Sequence, residues 1–117
     1  SIDISKNWFG KYSTYFACGS RKSKYNPSEF AKMVEGLGAG EIMINCIHKD
    51  GKMDGYDVNL IKEVSSVVNI PVIASGGAGN YQDLDDILSN ETVSAAAAGS
   101  LFVFHGKHRA VLVNYPE

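Results

Sequence analysis

A chain of 117 residues holds one domain, which excludes a two-domain enzyme. Apolar residues at 44% and charged residues at 21% suit a globular protein with a packed core and exclude compositional disorder. Eleven Lys and Arg against thirteen Asp and Glu leave a net charge of −2, so neither nucleic acid nor a membrane surface is an expected partner. No apolar run reaches the roughly 20 residues that cross a bilayer, and Ser1-Ile-Asp-Ile-Ser-Lys lacks the layout of a signal peptide. The expected location is the cytoplasm.

Ser1 to Ile4 alternates like the end of a strand. Lys11 to Ala17, rich in aromatic and β-branched residues, reads as a short extra strand, and Cys18 to Lys24 as a basic loop. The Arg21-Lys22-Ser23-Lys24 run is read as a solvated turn, with folding over an anionic substrate as the alternative. Asn26-Pro27-Ser28-Glu29 places a cap, a proline at the first helical position and a glutamate at the third, ahead of the stripe Phe30, Met33, Val34 and Leu37. Gly38 ends that helix. Glu41 to Ile47 is an apolar run broken only by Asn45, which suits a parallel strand buried on both faces. A glycine-punctuated loop, His48 to Asp57, follows.

Asp57 can cap a helix with the stripe Leu60, Ile61, Val64, Val67 and Val68, stopped at Asn69. Ile70 to Ser75 reads as a strand, Gly76 to Asn80 as a turn, and the next helix carries Leu84, Ile87 and Leu88 inward. Val93 to Ala98 gives a fourth strand of small residues before Gly99-Ser100. Cys18 and Cys46 show neither CxxC nor zinc-finger spacing and read as reduced thiols, Cys46 as a small buried hydrophobe. The glycine between His105 and His108 breaks any helix that would align them on a metal. No metal and no cofactor is expected.

The fold class is therefore α/β, with strands near 1–4, 41–47, 70–75 and 93–98 in one parallel sheet joined by right-handed crossovers. A doubly wound, flavodoxin-like sheet would be complete with four or five strands. A (β/α)8 barrel needs about 250 residues and would take this chain as four of its units. In both, the residues that follow the strands converge on one rim. They are Asp3, Asn45 to Gly51, Ser75-Gly76-Gly77, and Gly99-Ser100. Gly51, Gly77 and Gly99 would let backbone N–H groups approach a phosphate, aided by the positive end of a following helix. Asp3, in an apolar strand end, suits proton transfer, and Asp50 is either a second acid or a loop cap. Gly77-Ala78-Gly79 lacks the third glycine of a dinucleotide fingerprint, since Gln82 stands there, and no GxxxxGK[ST] occurs. Asp50 to Asp57 is not a calcium loop, because Lys52 replaces a required ligand.

Ser1-Ile-Asp-Ile, Phe9-Gly-Lys-Tyr, Gly38-Ala-Gly-Glu-Ile-Met-Ile-Asn, Asp50-Gly-Lys-Met-Asp-Gly-Tyr-Asp57, Pro71-Val-Ile-Ala-Ser-Gly-Gly-Ala-Gly79 and Ala97-Ala-Gly-Ser-Leu-Phe together resemble the cyclase subunit of imidazole glycerol phosphate synthase. The resemblance implies the C-terminal half of a (β/α)8 barrel, fifth strand to eighth, with the front half and its catalytic aspartate outside the chain. The ending Phe102 to Pro116 resembles the cyclase-like branch encoded with surface-polysaccharide genes, whose partner activities install amidino groups on sugars. A glutaminase subunit is the implied partner: its ammonia passes through the barrel and reacts with a ribulosyl-phosphate substrate, closing an imidazole and releasing an aminoimidazole carboxamide nucleotide.

By that resemblance Asp3 is a catalytic acid/base, and Asp50, Gly51, Gly77, Gly99 and Ser100 hold substrate phosphate. Asn45, Ser75 and Gly76 line the substrate pocket, and Glu41 belongs to the ammonia entrance. Asn45 and His48 depart from the threonine and aspartate common in the histidine-pathway enzymes, which turns the expectation toward the sugar branch. A half-barrel that dimerises, covers its open sheet edges and binds phosphate without turnover is the alternative.

Overall fold

The computed structural model describes residues 1–90, 92–105 and 107–111. Residues 112–116, the end of the segment resembling the sugar-associated branch, lie outside the described residues. Six strands form one sheet: β1 (Ile2–Lys6), β2 (Tyr12–Phe16), β3 (Arg21–Lys22), β4 (Ile42–Cys46), β5 (Val72–Ser75) and β6 (Ala95–Ala97). The helices are α1 (Pro27–Gly36), α2 (Val58–Ser65), α3 (Tyr81–Leu88) and the one-turn α4 (Ser100–Val103). A small antiparallel pair, β7 (Phe104–His105) and β8 (Ala110–Val111), closes the described chain.

The sheet order is β3-β2-β1-β4-β5-β6, and β1, β4, β5 and β6 are mutually parallel. These four run across the sheet in chain order. A doubly wound sheet would reverse direction at a switch point. This arc keeps one sense throughout, so right-handed crossovers leave its helices on one face, as in a segment of a (β/α)8 barrel.

The caps form where the local residues call for them. Asn26 accepts from the Glu29 amide at 2.8 Å while the Glu29 carboxylate accepts from the Asn26 amide, with Pro27 at the first helical position. Asn80 and Asp83 repeat this capping box on α3, and Asp57 caps α2 through the Leu60 amide at 3.1 Å. Ile2, Ile4, Ile42, Ile44, Cys46, Val72 and Ala74 alternate along their strands and pack beneath the helices with Leu60, Ile61, Val64 and Ile87. Burying each isoleucine, leucine or valine among them contributes roughly 1.5–3 kcal/mol.

Three details differ from the sequence-based expectation. β4 is buried on alternate residues only, because Met43 and Asn45 point to the face without helices and are half-buried. The basic loop contains β3, paired antiparallel with β2 through Tyr15 and Lys22, so the extra strand becomes a three-stranded ribbon with the end of β1. β1 itself continues to Lys6. Only Ile2, Asp3 and Ile4 pair with β4, and the strand then rises beyond the parallel sheet into a hairpin whose tip exposes Trp8 and Phe9.

Candidate functional site

Strand register brings the candidate residues together. Asp3 pairs with Asn45, Asn45 with Ser75, and Ser75 with Ala97. In a parallel sheet, directly paired residues point to the same side, so these four form one row across the helix-free face at the C-terminal rim. At about 4.8 Å per strand, Asp3 stands roughly 10 Å from Ser75 along the row. Asn45 Nδ2 donates to Asp3 Oδ1 at 3.0 Å, which orients the carboxylate.

Where this row meets the loops, a polar cavity of about 30 Å³ opens. Asp50, Gly51, Gly77, Gly99 and Ser100, the five residues expected to hold phosphate, all line it, and so do Ser75 and Gly76. Asn45 stands beside Asp3 rather than in the cavity wall. Glu41 lies apart from both: it precedes β4, at the opposite end of the parallel strands, and is exposed.

Glycine is required in this wall by contact as well as by turn geometry. A Cβ on Gly76 would lie 2.7 Å from the Cys46 carbonyl oxygen, and one on Gly77, at φ +119°, would overlap the Gly55 carbonyl. One on Gly79 would overlap the Met53 carbonyl. The loop after β5 is thus threaded against residues 53–55, and Gly55 N donates to the Gly77 carbonyl at 2.8 Å. Gly99 is different: a Cβ there meets nothing within 4 Å, so its bareness leaves room in the cavity. At Gly77 the expected help from a helix dipole is limited, because Gly77 lies well before α3 and the Asn80–Asp83 box already satisfies that helix start, whereas Gly99 is the N-cap residue of the one-turn α4 and no side chain caps it.

Several residues in this region carried no expectation of a site role. Tyr56 donates its hydroxyl to the Ala97 carbonyl at 2.7 Å, tying the loop after β4 to the end of β6. Burial and the Asp83 charge push the Tyr56 hydroxyl up to about 12. Arg109, from the turn between β7 and β8, donates its guanidinium to the Gly51 carbonyl at the lip of the cavity. No local pattern announces that contact, which spans 58 positions of chain.

Asp57 does far more than cap. The Tyr12 hydroxyl donates to it at 2.9–3.0 Å, and His48 Nε2 lies 3.0 Å from its Oδ2. Burial alone would raise the Asp57 carboxyl, but the Leu60 amide, the Tyr12 hydroxyl and His48 together hold it below its ordinary value. Burial of Tyr12, together with its bond to Asp57 and the Asp57 charge, holds the Tyr12 hydroxyl far above the normal phenol range. Burial and the same charge push the Cys46 thiol up to about 12. This network clamps the loop carrying Asp50 and Gly51 between β2 and α2, and it turns His48 away from the cavity. His48 Nδ1 remains buried without a hydrogen-bond partner among the described residues. Among the described residues, no cluster of three or more His, Cys, Asp or Glu is placed to hold a metal ion, and no helix is long and apolar enough to cross a membrane.

The family model described as Histidine biosynthesis protein matches residues 1–109. The chain is 50% identical over 117 residues to a Pseudomonas aeruginosa protein named "Putative imidazole glycerol phosphate synthase subunit hisF2", covering 100% of this chain and 47% of the relative. A Vibrio vulnificus protein named "Putative imidazole glycerol phosphate synthase subunit hisF3" is 42% identical, covering 99% of this chain and 45% of its own length. "Imidazole glycerol phosphate synthase subunit HisF" of Alkaliphilus metalliredigens is 40% identical over 105 residues, 90% of this chain and 42% of that protein. The chain spans about half the length of the curated relatives it matches.

Proposed function

Because the chain belongs to the histidine biosynthesis protein family, we propose that it supplies the phosphate-holding and proton-transferring half of an ammonia-dependent cyclase barrel of the lyase class. The observation that carries this reading is the single register row placing the Asp3 carboxylate on the same rim as the glycine-walled cavity. The loops after β4, β5 and β6 hold one phosphate of a ribulosyl-phosphate substrate through backbone amides and the Ser100 hydroxyl. Asp3, oriented by Asn45, moves the proton as ammonia from a glutaminase partner closes the imidazole. Glu41, at the opposite pole, belongs to the entrance through which that ammonia arrives.

Two tests bear on this directly. In the complete barrel, Asp3→Asn keeps the bond partner of Asn45 but removes the base; ring closure should fall by at least about 10²-fold with substrate affinity nearly unchanged. Full activity would remove Asp3 from the mechanism. Titrating inorganic phosphate should move the amide resonances of Gly77 and Gly99 most, and silence at both would remove the phosphate site.

The finer assignment is ammonia handling for surface-sugar amidination, with histidine synthesis, which the family description names, as the alternative. It is supported by Asn45, the departure from the histidine-pathway pattern that touches Asp3, whereas His48 is committed to Asp57. Growth of a histidine-requiring strain restored by the complete protein would refute it. The half-exposed Met43 and Ile73 on the helix-free face favour a second reading, a phosphate-binding half-barrel that covers this face with another copy. Ring closure by the complete barrel would eliminate that reading.

A further inference from the structure

Charge is segregated along this chain. Lys6, Lys11, Arg21, Lys22 and Lys24 occur between Asp3 and Glu29 with no acidic residue among them. The fold gathers these cations on the antiparallel ribbon of β1, β2 and β3, at the far end of the sheet from the glycine-walled cavity. β3 pairs with β2 only at Tyr15 and Phe16; the last backbone bond between the segments runs from Ser23 N to the Thr14 carbonyl, and the Thr14 hydroxyl then donates to the Tyr25 carbonyl at 2.9 Å. Around these tethers, before α1 begins, the two segments leave a wedge.

That wedge is a cavity of about 200 Å³, several times larger than the one at the β5 and β6 ends. Lys11, Lys22 and Lys24 line it, with Ser13 and Ser23 buried in its wall and Tyr25 beside them. Among the described residues, none of the three ammonium groups is ion-paired. Lys24 Nζ is held 5.2 Å from the centroid of the Tyr25 ring. The one carboxylate in the lining, Glu29, accepts from the Asn26 amide in the capping box. Three unpaired cations around one polar hollow repel each other in the empty state, and a multivalent anion relieves that repulsion. Lysines act as point charges rather than as a planar fork, which suits a tetrahedral oxyanion better than a flat carboxylate.

We propose that this wedge is a second oxyanion site, for the phosphate group of a small phosphate monoester. It stands four strand spacings, roughly 19 Å along the sheet, from the glycine-walled cavity, so one phosphate cannot serve both. Its volume exceeds what the bare ion fills, leaving room for the first atoms of the esterified group against Tyr25.

The experiment uses the full chain, isotope-labelled for amide NMR, titrated with inorganic phosphate and separately with ribose 5-phosphate at ionic strength held constant with chloride. The Ser23, Lys24 and Tyr25 amides should shift saturably, with the ester binding at least as tightly as the ion. Lys22→Gln with Lys24→Gln should weaken this binding about tenfold without moving the responses of Gly77 and Gly99. Both lysines are exposed, and Lys11→Gln provides an independent variant should the pair disturb folding. Linear, unsaturating shifts or equal affinity in the variants overturn the site, and weaker binding of the ester than of the ion overturns the ligand class. A response at the wedge with silence at Gly77 and Gly99 would leave this site standing while removing the phosphate pocket of the proposed function.

Discussion

Replacing Asp57 tests the central clamp most severely. Asp57→Ala removes the α2 cap at Leu60, which contributes about 1 kcal/mol, and the acceptor for both Tyr12 and His48. Hydrogen bonds to a charged acceptor contribute roughly 1.5–3 kcal/mol each, but Tyr12 is only partly buried and can recover water. The expected cost is therefore about 3–4 kcal/mol, enough to lower the midpoint of thermal unfolding by more than about 10 °C in a domain of this size. Asp57→Asn keeps a capping oxygen and an acceptor for Tyr12, so its cost should be about 1–2 kcal/mol.

The two variants should also differ from the parent in acid. The folded Asp57 carboxyl takes up a proton less readily than the unfolded one. As pH falls through about 4, the unfolded state is protonated first, and the stability present above that pH is lost. Both variants should lack this part of the acid limb. Urea unfolding followed by far-UV circular dichroism measures each quantity, since Trp8 is 96% exposed and reports little on burial. A cost below about 1 kcal/mol for Asp57→Ala, or an acid limb identical in parent and variants, would refute the clamp.

The alkaline limb should fall as well: Tyr12, Cys46 and Tyr56 all ionise at higher pH folded than unfolded, so their contribution is complete below about pH 8 and is lost as pH rises toward about 12. A flat urea midpoint across that range would contradict the assigned burial of these groups. Under native conditions at pH 8, Cys18 should react promptly with a disulfide reagent while Cys46 reacts only on unfolding, and equal rates would place Cys46 outside the core. Gly77→Ala should cost at least about 2 kcal/mol, because its Cβ overlaps the Gly55 carbonyl at positive φ. Gly99→Ala, at φ −116° with open space around it, should stay within about 0.5 kcal/mol in the same unfolding assay, and a reversed order would refute the threading of the two loops.

Local chemistry made much of this protein readable from its residues. The capping boxes of α1 and α3 and the Asp57 cap each involve partners within a few positions, so a short window contains the whole interaction. The apolar run Glu41 to Ile47 marked a strand, though not its alternating burial, and the glycines after β5 marked a turn, for the same reason. Tertiary structure alone decided what those pieces do together. Whether Asp3 shares a face with Ser75 depends on register, and a slip of one residue would turn it beneath the helices. Asp57 serves Tyr12 from 45 positions away, and Arg109 reaches Gly51 from 58, distances over which no periodicity carries information. The wedge forms where the chain turns from β3 toward α1: Ser23 of the basic run accepts from the Tyr25 amide, a local contact, whereas the Thr14 hydroxyl bond to the Tyr25 carbonyl and the meeting of Phe30 with Phe16 and Tyr25 depend on the tertiary fold.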